Sequence, residues 1–402
     1  MEKENHEIWR EGVDIKKYPI TVLPKETEVL IVGGGMAGIT NAYLLSKIGK
    51  KVILLEKETL GGHVTSRTTG FLTPVIDTDP LKLIKQFGFE NAKLILESHR
   101  NAVDEVEKII NTEKIECEFE RCTNFIYANS ESEEKYLIKL AEGYKKLGIS
   151  AEFKKDNNLK FSKFGYIEMP NHAKFHAIKY LTELAKIAVK NGVIIAENTE
   201  VLNLNDKKDF VEVEIENTEV IKAKKVISAT YVPFGQNKKI SHLANLYREY
   251  VIEYKVHHGE LLNGTYEDTL DPYNYFRIDN KGGFDRLIIG GADHLDVMKV
   301  DPNINFDSMI KYSQKLFGSV KLEEVRHWSG LMLETNDGLA FIGDYNHGNI
   351  FYIFGFSGNG MTYSYIAGKI FLDKILSVEN PYSEVYRVIR KVSWLKRLFY
   401  IK

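Results

Sequence analysis

Residues 29–38 read Val29-Leu30-Ile31-Val32-Gly33-Gly34-Gly35-Met36-Ala37-Gly38, and this stretch decides the fold. Four apolar residues, the mark of a buried strand, run into glycines in the pattern G-x-G-x-x-G, and a helix-forming segment follows. A second apolar run, Val52-Ile53-Leu54-Leu55, ends at Glu56 with Lys57 beside it. The acid stands about 20 residues beyond the glycines, the spacing of a dinucleotide-binding βαβ unit. Gly33 allows the tight turn out of the strand. Gly35 lets a pyrophosphate approach the backbone, and Gly38 lets the helix pack closely on the sheet. The free N–H groups of the first turn, opening at Met36 and Ala37, and the positive helix end bind the pyrophosphate. Glu56 accepts hydrogen bonds from a ribose diol.

The far end of the chain indicates which dinucleotide. Residues 351–362 read Phe-Tyr-Ile-Phe-Gly-Phe-Ser-Gly-Asn-Gly-Met-Thr, again strand, glycine turn and helix. A domain for NAD alone has no need of a second such turn so far along the chain. A flavoprotein has, because the isoalloxazine ring lies far from the adenine. Reduced flavin carries negative charge at N1 and the C2 carbonyl, and a helix N-terminus aimed there stabilises it. Gly358, Gly360 and Met361 open such a helix, so the expected cofactor is FAD.

The residues that follow carry a specific resemblance. Trp328-Ser329-Gly330, the run from Asp337 to Gly343, Gly358-Asn359-Gly360-Met361-Thr362, Gly290-Gly291-Ala292-Asp293-His294 and Thr68-Thr69-Gly70-Phe71 are its marks. With them the chain, from about Trp9 to about Arg390, resembles the glycine oxidase/D-amino-acid oxidase-like family of FAD oxidoreductases. The likeness is to a branch that often carries a C-terminal Rieske domain. No Rieske domain is expected within these 402 residues, whose only cysteines are Cys117 and Cys122. The resemblance implies that the loop holding Arg67, Thr68, Thr69 and Gly70 runs beside the isoalloxazine, where Arg67 is a catalytic candidate that donates to the flavin or the substrate. It implies that Ala229 and Thr230 end a strand near the dinucleotide, and that Val201 contacts the adenosine half through its backbone. Some relatives attach flavin through a histidine three residues before the glycine matching Gly70. That place is Arg67 here, so His63 is not expected to attach it and FAD is expected to bind non-covalently.

The same resemblance supplies candidates for the substrate side. Arg277, in the Tyr-Phe-Arg run, matches a motif facing the active site, and His294 closes the Gly-Gly-Ala-Asp-His run. Tyr275 and Trp328 are candidate pocket-lining residues. Of the adjacent pair His257-His258, at most one faces the site, because neighbours on a strand point to opposite sides. One departure matters. Relatives that anchor an amino-acid carboxylate place an arginine after the Gly-Leu of the tryptophan motif, and here that place is Met332. A thioether cannot pair with a carboxylate, so Arg277 becomes the expected anchor if the substrate is an amino acid.

The expected architecture is α/β. A discontinuous Rossmann-like FAD-binding domain takes 20–95, 168–235 and 326–380. An α+β substrate domain built on an antiparallel sheet takes 96–167 and 236–325, and a basic tail takes 381–402. Helices are expected over 80–112 with Asp79 as cap, over 133–147, and over 172–191 ending at Gly192. His99, at helical spacing among apolar residues, reads as a packed or solvated helix residue.

Composition narrows the partners. A net charge of −2 gives no electrostatic case for nucleic acid or an anionic membrane. The two cysteines lack metal-ligand neighbours and read as incidental thiols. No apolar run is long enough to span a bilayer and the N-terminus is polar, so a cytoplasmic location is expected. From Arg387 to Lys402 six Lys/Arg residues occur with no acid. This segment reads as a terminal helix docked on the protein, with membrane-surface contact as the alternative. The expected activity is oxidation of a C–N bond of an amine or amino-acid-like substrate by hydride transfer to flavin N5. The alternatives are C–O bond oxidation on the same fold and an FAD electron-transfer subunit of a larger complex. The electron acceptor, oxygen or a redox partner protein, stays open.

Overall fold

The computed structural model describes residues 8–19, 22–216, 219–232, 243–318, 320–345, 348–388 and 390. The first half of the chain runs β1 (Glu26–Val32), α1 (Met36–Ser46), β2 (Val52–Leu55), α2 (Val64–Arg67), β3 (Phe71–Leu72), α3 (Pro80–Phe87), α4 (Phe89–Glu113), β4 (Glu120–Tyr127), α5 (Glu131–Lys146), β5 (Glu152–Lys154), β6 (Tyr166–Lys174) and α6 (Ala177–Lys190). The second half runs β7 (Ile194–Ala196), β8 (Val201–Asp206), β9 (Val211–Ile215), β10 (Val220–Ser228), β11 (Ala244–His257), β12 (Gly264–Glu267), β13 (Tyr275–Asn280), β14 (Phe284–Leu295), α7 (Pro302–Phe317), β15 (Glu323–Thr335), β16 (Phe341–Asp344), β17 (Ile350–Phe354), α8 (Gly360–Ile375) and α9 (Ser383–Tyr386).

Two sheets organise these elements. The first has the order β16-β17-β10-β1-β2-β7, with the β8–β9 hairpin attached to β10. Its centre, β17-β10-β1-β2-β7, is parallel. Parallel strands covered on both faces read as continuous apolar runs, as β1 and β2 do. Helices α1, α4, α6 and α8 cover one face, through residues such as Ile39, Ala102, Leu181 and Ile370, and β8 and β9 cover the other through Leu204, Val211 and Val213. The second sheet has the order β15-β11-β14-β13-β12-β4-β6-β3 and is antiparallel except where β12 meets β4. Its long strands β11, β14 and β15 carry the aromatic and β-branched runs of 244–335. One of its faces packs on α7 through Tyr250, Phe276, Phe306 and Phe317.

The α/β class with a parallel nucleotide sheet and a mainly antiparallel partner sheet agrees with the sequence. The boundaries differ. β3, β6 and β15 belong to the second sheet, although 20–95, 168–235 and 326–380 place all or most of each with the nucleotide domain. Alternating apolar residues identify a strand but not the sheet it joins, and β15 pairs along nearly its whole length with β11. Conversely, α4, expected mostly within the substrate segment 96–167, packs on the nucleotide side. There buried His99 bonds Thr362 through Nδ1 at 2.8 Å. The helix expected from 172 begins at Ala177. His172 to Lys174 continue β6 against β4, and His176 caps the helix by accepting from Lys179 N–H.

At the C-terminal end Tyr386 and Val388 are buried, and Arg390 grips Asp337 with two nitrogens at 2.6 and 2.7 Å. The start of the tail is therefore docked. Residues 391–402, and with them the membrane-surface alternative, lie outside the described residues. Among the described residues no helix is long and apolar enough to cross a membrane, and Cys117 and Cys122 are unbridged.

Candidate active site

Where β1 hands over to α1, the backbone is shaped by what a side chain would strike. Gly33 sits at φ +108°, and a Cβ there would lie 2.5 Å from the Ala229 carbonyl oxygen. A Cβ on Gly38 would overlap the Gly33 carbonyl, so α1 rests directly on the turn. At Gly35 the nearest atom to such a carbon is Thr65 Oγ1 at 3.4 Å, which leaves this side of the turn open. The N-cap residue of α1, Gly35, offers no side-chain cap, and Met36 N–H donates to Thr65 Oγ1 at 3.2 Å. Glu56, at the end of β2, accepts from Gly34 N–H at 2.6 Å and from Glu58 N–H at 2.8 Å. A carboxylate has about four acceptor positions, so two remain. Lys57 pairs with Glu200 at 3.1 Å on the outer side.

These residues form one end of a cavity of 420 Å³. Gly33, Gly35, Met36, Ala37, Glu56, Lys57, Val201, Ala229 and Thr230 line that end, and Arg67, Thr68, Thr69, Gly358, Asn359, Gly360, Met361 and Tyr275 line the rest. Six expected residues do not reach it: Gly38, Gly70, Thr362, Trp328, Arg277 and His294. The N-terminus of α8, also without a side-chain cap, opens on the cavity. Asn359 ties it to the loop before α3, donating to Thr73 Oγ1 at 3.1 Å, while Gly358 N–H donates to Asp77 Oδ2 at 3.2 Å. His63 lines the cavity and reaches Glu58 at 3.3 Å.

The loop from Arg67 to Gly70 is held from behind by three large side chains. Trp328 Nε1 donates to the Arg67 carbonyl at 2.9 Å, and Trp9 Nε1 donates to the Thr68 carbonyl. Arg277 Nη1 donates to the carbonyls of Thr69 at 2.8 Å and Gly70 at 3.0 Å. All three residues are essentially buried. Four consecutive carbonyls thus face away from the cavity onto fixed donors, so the loop cannot shift without orphaning buried groups.

This placement corrects the reading of Arg277 as a substrate anchor. Its Nε and Nη2 are taken by Asp279 at 2.7–2.9 Å, and Nη1 by the loop carbonyls. Asp279 also meets Arg286 and Lys174, and these three cations hold its carboxyl far below the usual range. No donor of Arg277 is left for a substrate. His294 is likewise turned away: its Nε2 bonds Tyr250 Oη at 3.0 Å and its Nδ1 faces the Leu295 carbonyl. Trp328 supports the pocket without lining it. His257 and His258 both lie at the exposed end of β11, outside the cavity.

The roof of the cavity contains groups the sequence reading missed. Asp77, Glu249, Glu267, Tyr273 and Leu331 line it, beside Met332, which the sequence had singled out. On the sheet, Glu267 of β12 stands directly opposite Tyr275 of β13, and Tyr275 opposite Gly290 of β14. A Cβ on Gly290 would overlap the tyrosine ring. Without it the ring crosses β14, and Tyr275 Oη donates to Glu249 Oε2 on β11 at 2.9 Å. Glu267 accepts from Asn124 Nδ2 at 3.1 Å. Partial burial, with repulsion from Asp293 and Asp77 at Glu249 and from Asp77 at Glu267, pushes the two carboxyls up to about 7. Glu249 stands beside Arg248 in Tyr247–Ile252, and nothing in the sequence set it apart from an ordinary strand acid. Trp9 gave no signal beyond its residue type.

Comparison with known proteins agrees with this geometry. The family model described as FAD dependent oxidoreductase, DAO, matches residues 28–374. The YhfW protein of Bacillus subtilis, named for a Rieske iron–sulfur protein, is 29% identical over 385 residues, covering 94% of this chain and 74% of that one. Glycine oxidase from Geobacillus kaustophilus superposes with a TM-score of 0.77 at 20% identity, covering 92% of this chain and 100% of the other. L-proline dehydrogenase from P. horikoshii superposes with a TM-score of 0.75 at 18% identity, covering 91% and 98%. With the family match spanning most of the sequence and its glycine turns framing one cavity, the chain belongs to the DAO family of FAD-dependent oxidoreductases.

Proposed function

We propose that the protein oxidises a carbon–nitrogen bond of a small amine or amino-acid-like substrate, with FAD bound non-covalently. The observation that carries this reading is one cavity with a helix N-terminus at each end, α1 and α8, neither capped by its N-cap side chain, and a carboxylate–tyrosine roof between them. Helix N-terminal N–H groups beside open space suit anionic or partly anionic groups, so the residues fit a flavin dinucleotide. Gly33 to Ala37 would hold the pyrophosphate, Glu56 the ribose, and Val201 with Ala229 and Thr230 the adenosine side. Arg67, Thr68, Thr69 and the Gly358–Thr362 turn would hold the flavin end, Thr362 from behind through His99. The structural neighbours named glycine oxidase and L-proline dehydrogenase act on amines, which favours a C–N over a C–O bond.

When bound, FAD supplies the hydride acceptor. The chain's own work is to orient and to hold protons. The clamped loop 67–70 fixes one wall against which a substrate is placed. An ammonium must lose its proton before its carbon gives up hydride. Glu249 lines the cavity, and its Oε1, the oxygen not bonded to Tyr275, can accept that proton near neutral pH. Anaerobic mixing of the yellow protein with amines, amino acids and matched alcohols tests the reading. Bleaching of the flavin by a nitrogen compound and not by its alcohol analogue is expected. Bleaching by the alcohol alone contradicts it. Acid precipitation should release the flavin into the supernatant.

A further inference from the structure

We propose that the substrate is a cationic amine carrying no free carboxylate, selected by Glu249 and Glu267. This rests on the amine-oxidising reading above and names the substrate class for it. Three carboxylates, Asp77, Glu249 and Glu267, line the roof end of the cavity against one cation, Arg67. No ion pair among the described residues joins any of the three to a basic side chain. Their hydrogen-bond donors are neutral: Gly358 N–H, Tyr275 Oη and Asn124 Nδ2. Glu249 and Glu267 are half-buried and Asp77 is exposed; like charges that share one cavity without a counter-charge repel, and a cationic ligand supplies that charge. Among the described residues no cluster is arranged to hold a metal ion, so the counter-charge is not expected to be a metal.

The carboxylates are also part of a built enclosure. Glu267 lies opposite Tyr275 on the sheet, Gly290 leaves the space for the ring, and the ring reaches Glu249 two strands away. Tyr273 lies beside Tyr275, ring centroids 5.8 Å apart. Acids flanking aromatic rings suit an ammonium group. The opposite specificity has only Arg67 among the cations at this end of the cavity: Met332 is a thioether, and Arg277 has every donor bonded within the protein.

The test is calorimetric titration of the FAD-loaded, chemically reduced protein, which binds without turnover. The probes are 1,4-diaminobutane and 4-aminobutanoate, of matched length, differing in one end. The diamine should bind at least about tenfold more tightly, a difference of about 1.4 kcal/mol. Glu249→Gln and Glu267→Gln should each narrow that gap, and FAD content per chain checks that the variants fold. Tighter or equal binding of 4-aminobutanoate, no binding of either, or an unchanged gap in both variants overturns the inference. If a variant does not fold, the wild-type ratio still decides. The amine-oxidising reading fails separately, if no nitrogen compound of any charge bleaches the oxidised flavin. Bleaching by zwitterionic amino acids with the diamine unbound keeps that reading and removes this one.

Discussion

The floor and the roof of the cavity are built by different means. The floor is a local device. Gly33, Gly35 and Gly38 fall within six residues, and Glu56 follows at the end of the next strand. Each acts through backbone geometry that a short motif prescribes. The roof is a product of register. Glu249, Glu267, Tyr275 and Gly290 lie on four different strands, and only the pairing of β11, β14, β13 and β12 brings them together. Local devices are readable from one sequence, and registered ones are not, because a one-residue slip would turn each side chain to the other face.

The two regions meet at the loop 67–70, and the largest expected effect is there. Arg277→Met removes the donors to Thr69 and Gly70 and one of the three cations at Asp279. A loss of about 3–5 kcal/mol in unfolding free energy is expected, as for breaking a buried pair. Chemical denaturation measures it, with Arg277→Lys retaining part of the loss-free behaviour. A change under about 1 kcal/mol would mean that the roof does not brace the loop. A floor substitution should act differently. Glu56→Ala should weaken FAD binding by about 1.5–3 kcal/mol, the value of a charge-assisted hydrogen bond, with the roof unaffected. Titration of the apoprotein with FAD measures this, and unchanged affinity removes Glu56 from the ribose site.

Gly290→Val probes the roof alone. Its side chain meets the Tyr275 ring, and overpacking of this kind costs about 1–3 kcal/mol. Turnover should fall while FAD affinity holds. Equal loss of both would show that the roof is not separable from the floor. The smallest effect concerns charge. Burial first, then Asp293 and Asp77, raise Glu249 to about 7 against the opposing hydrogen bond from Tyr275. Arg67 faces the same cavity. Because the folded state holds this proton more tightly than the unfolded chain, no penalty exists below the ordinary carboxylate range. The penalty grows as pH rises toward about 7 and is complete above it. Glu249→Gln should therefore stabilise the ligand-free protein by about 1–2 kcal/mol at pH 8 and by little at pH 4. Equal effects at both pH values would contradict a raised carboxyl.

What the sequence made legible follows the same division. The glycine turns, Glu56 and the α8 turn at Gly358–Met361 were read from local pattern, and they line the cavity. Arg277 was found as a buried arginine on a sheet strand, but its role was not. Its partners, Asp279 two residues on and the carbonyls of a loop some 200 residues earlier, appear only once β13 is placed beside Trp9 and Phe175. Asp77 and Glu267 resemble ordinary surface acids in the sequence, and only the closure of the second sheet over the first exposes them to a shared cavity.

The most direct measurement is a crystal structure of the flavin-loaded protein. The account predicts FAD along the cavity, with its ribose at Glu56 and its pyrophosphate at the N-terminus of α1. The ring should lie between the loop 67–70 and the Glu249–Tyr275–Glu267 row. A ring lying away from that row, or a dinucleotide that does not reach the Gly358–Met361 turn, would contradict it.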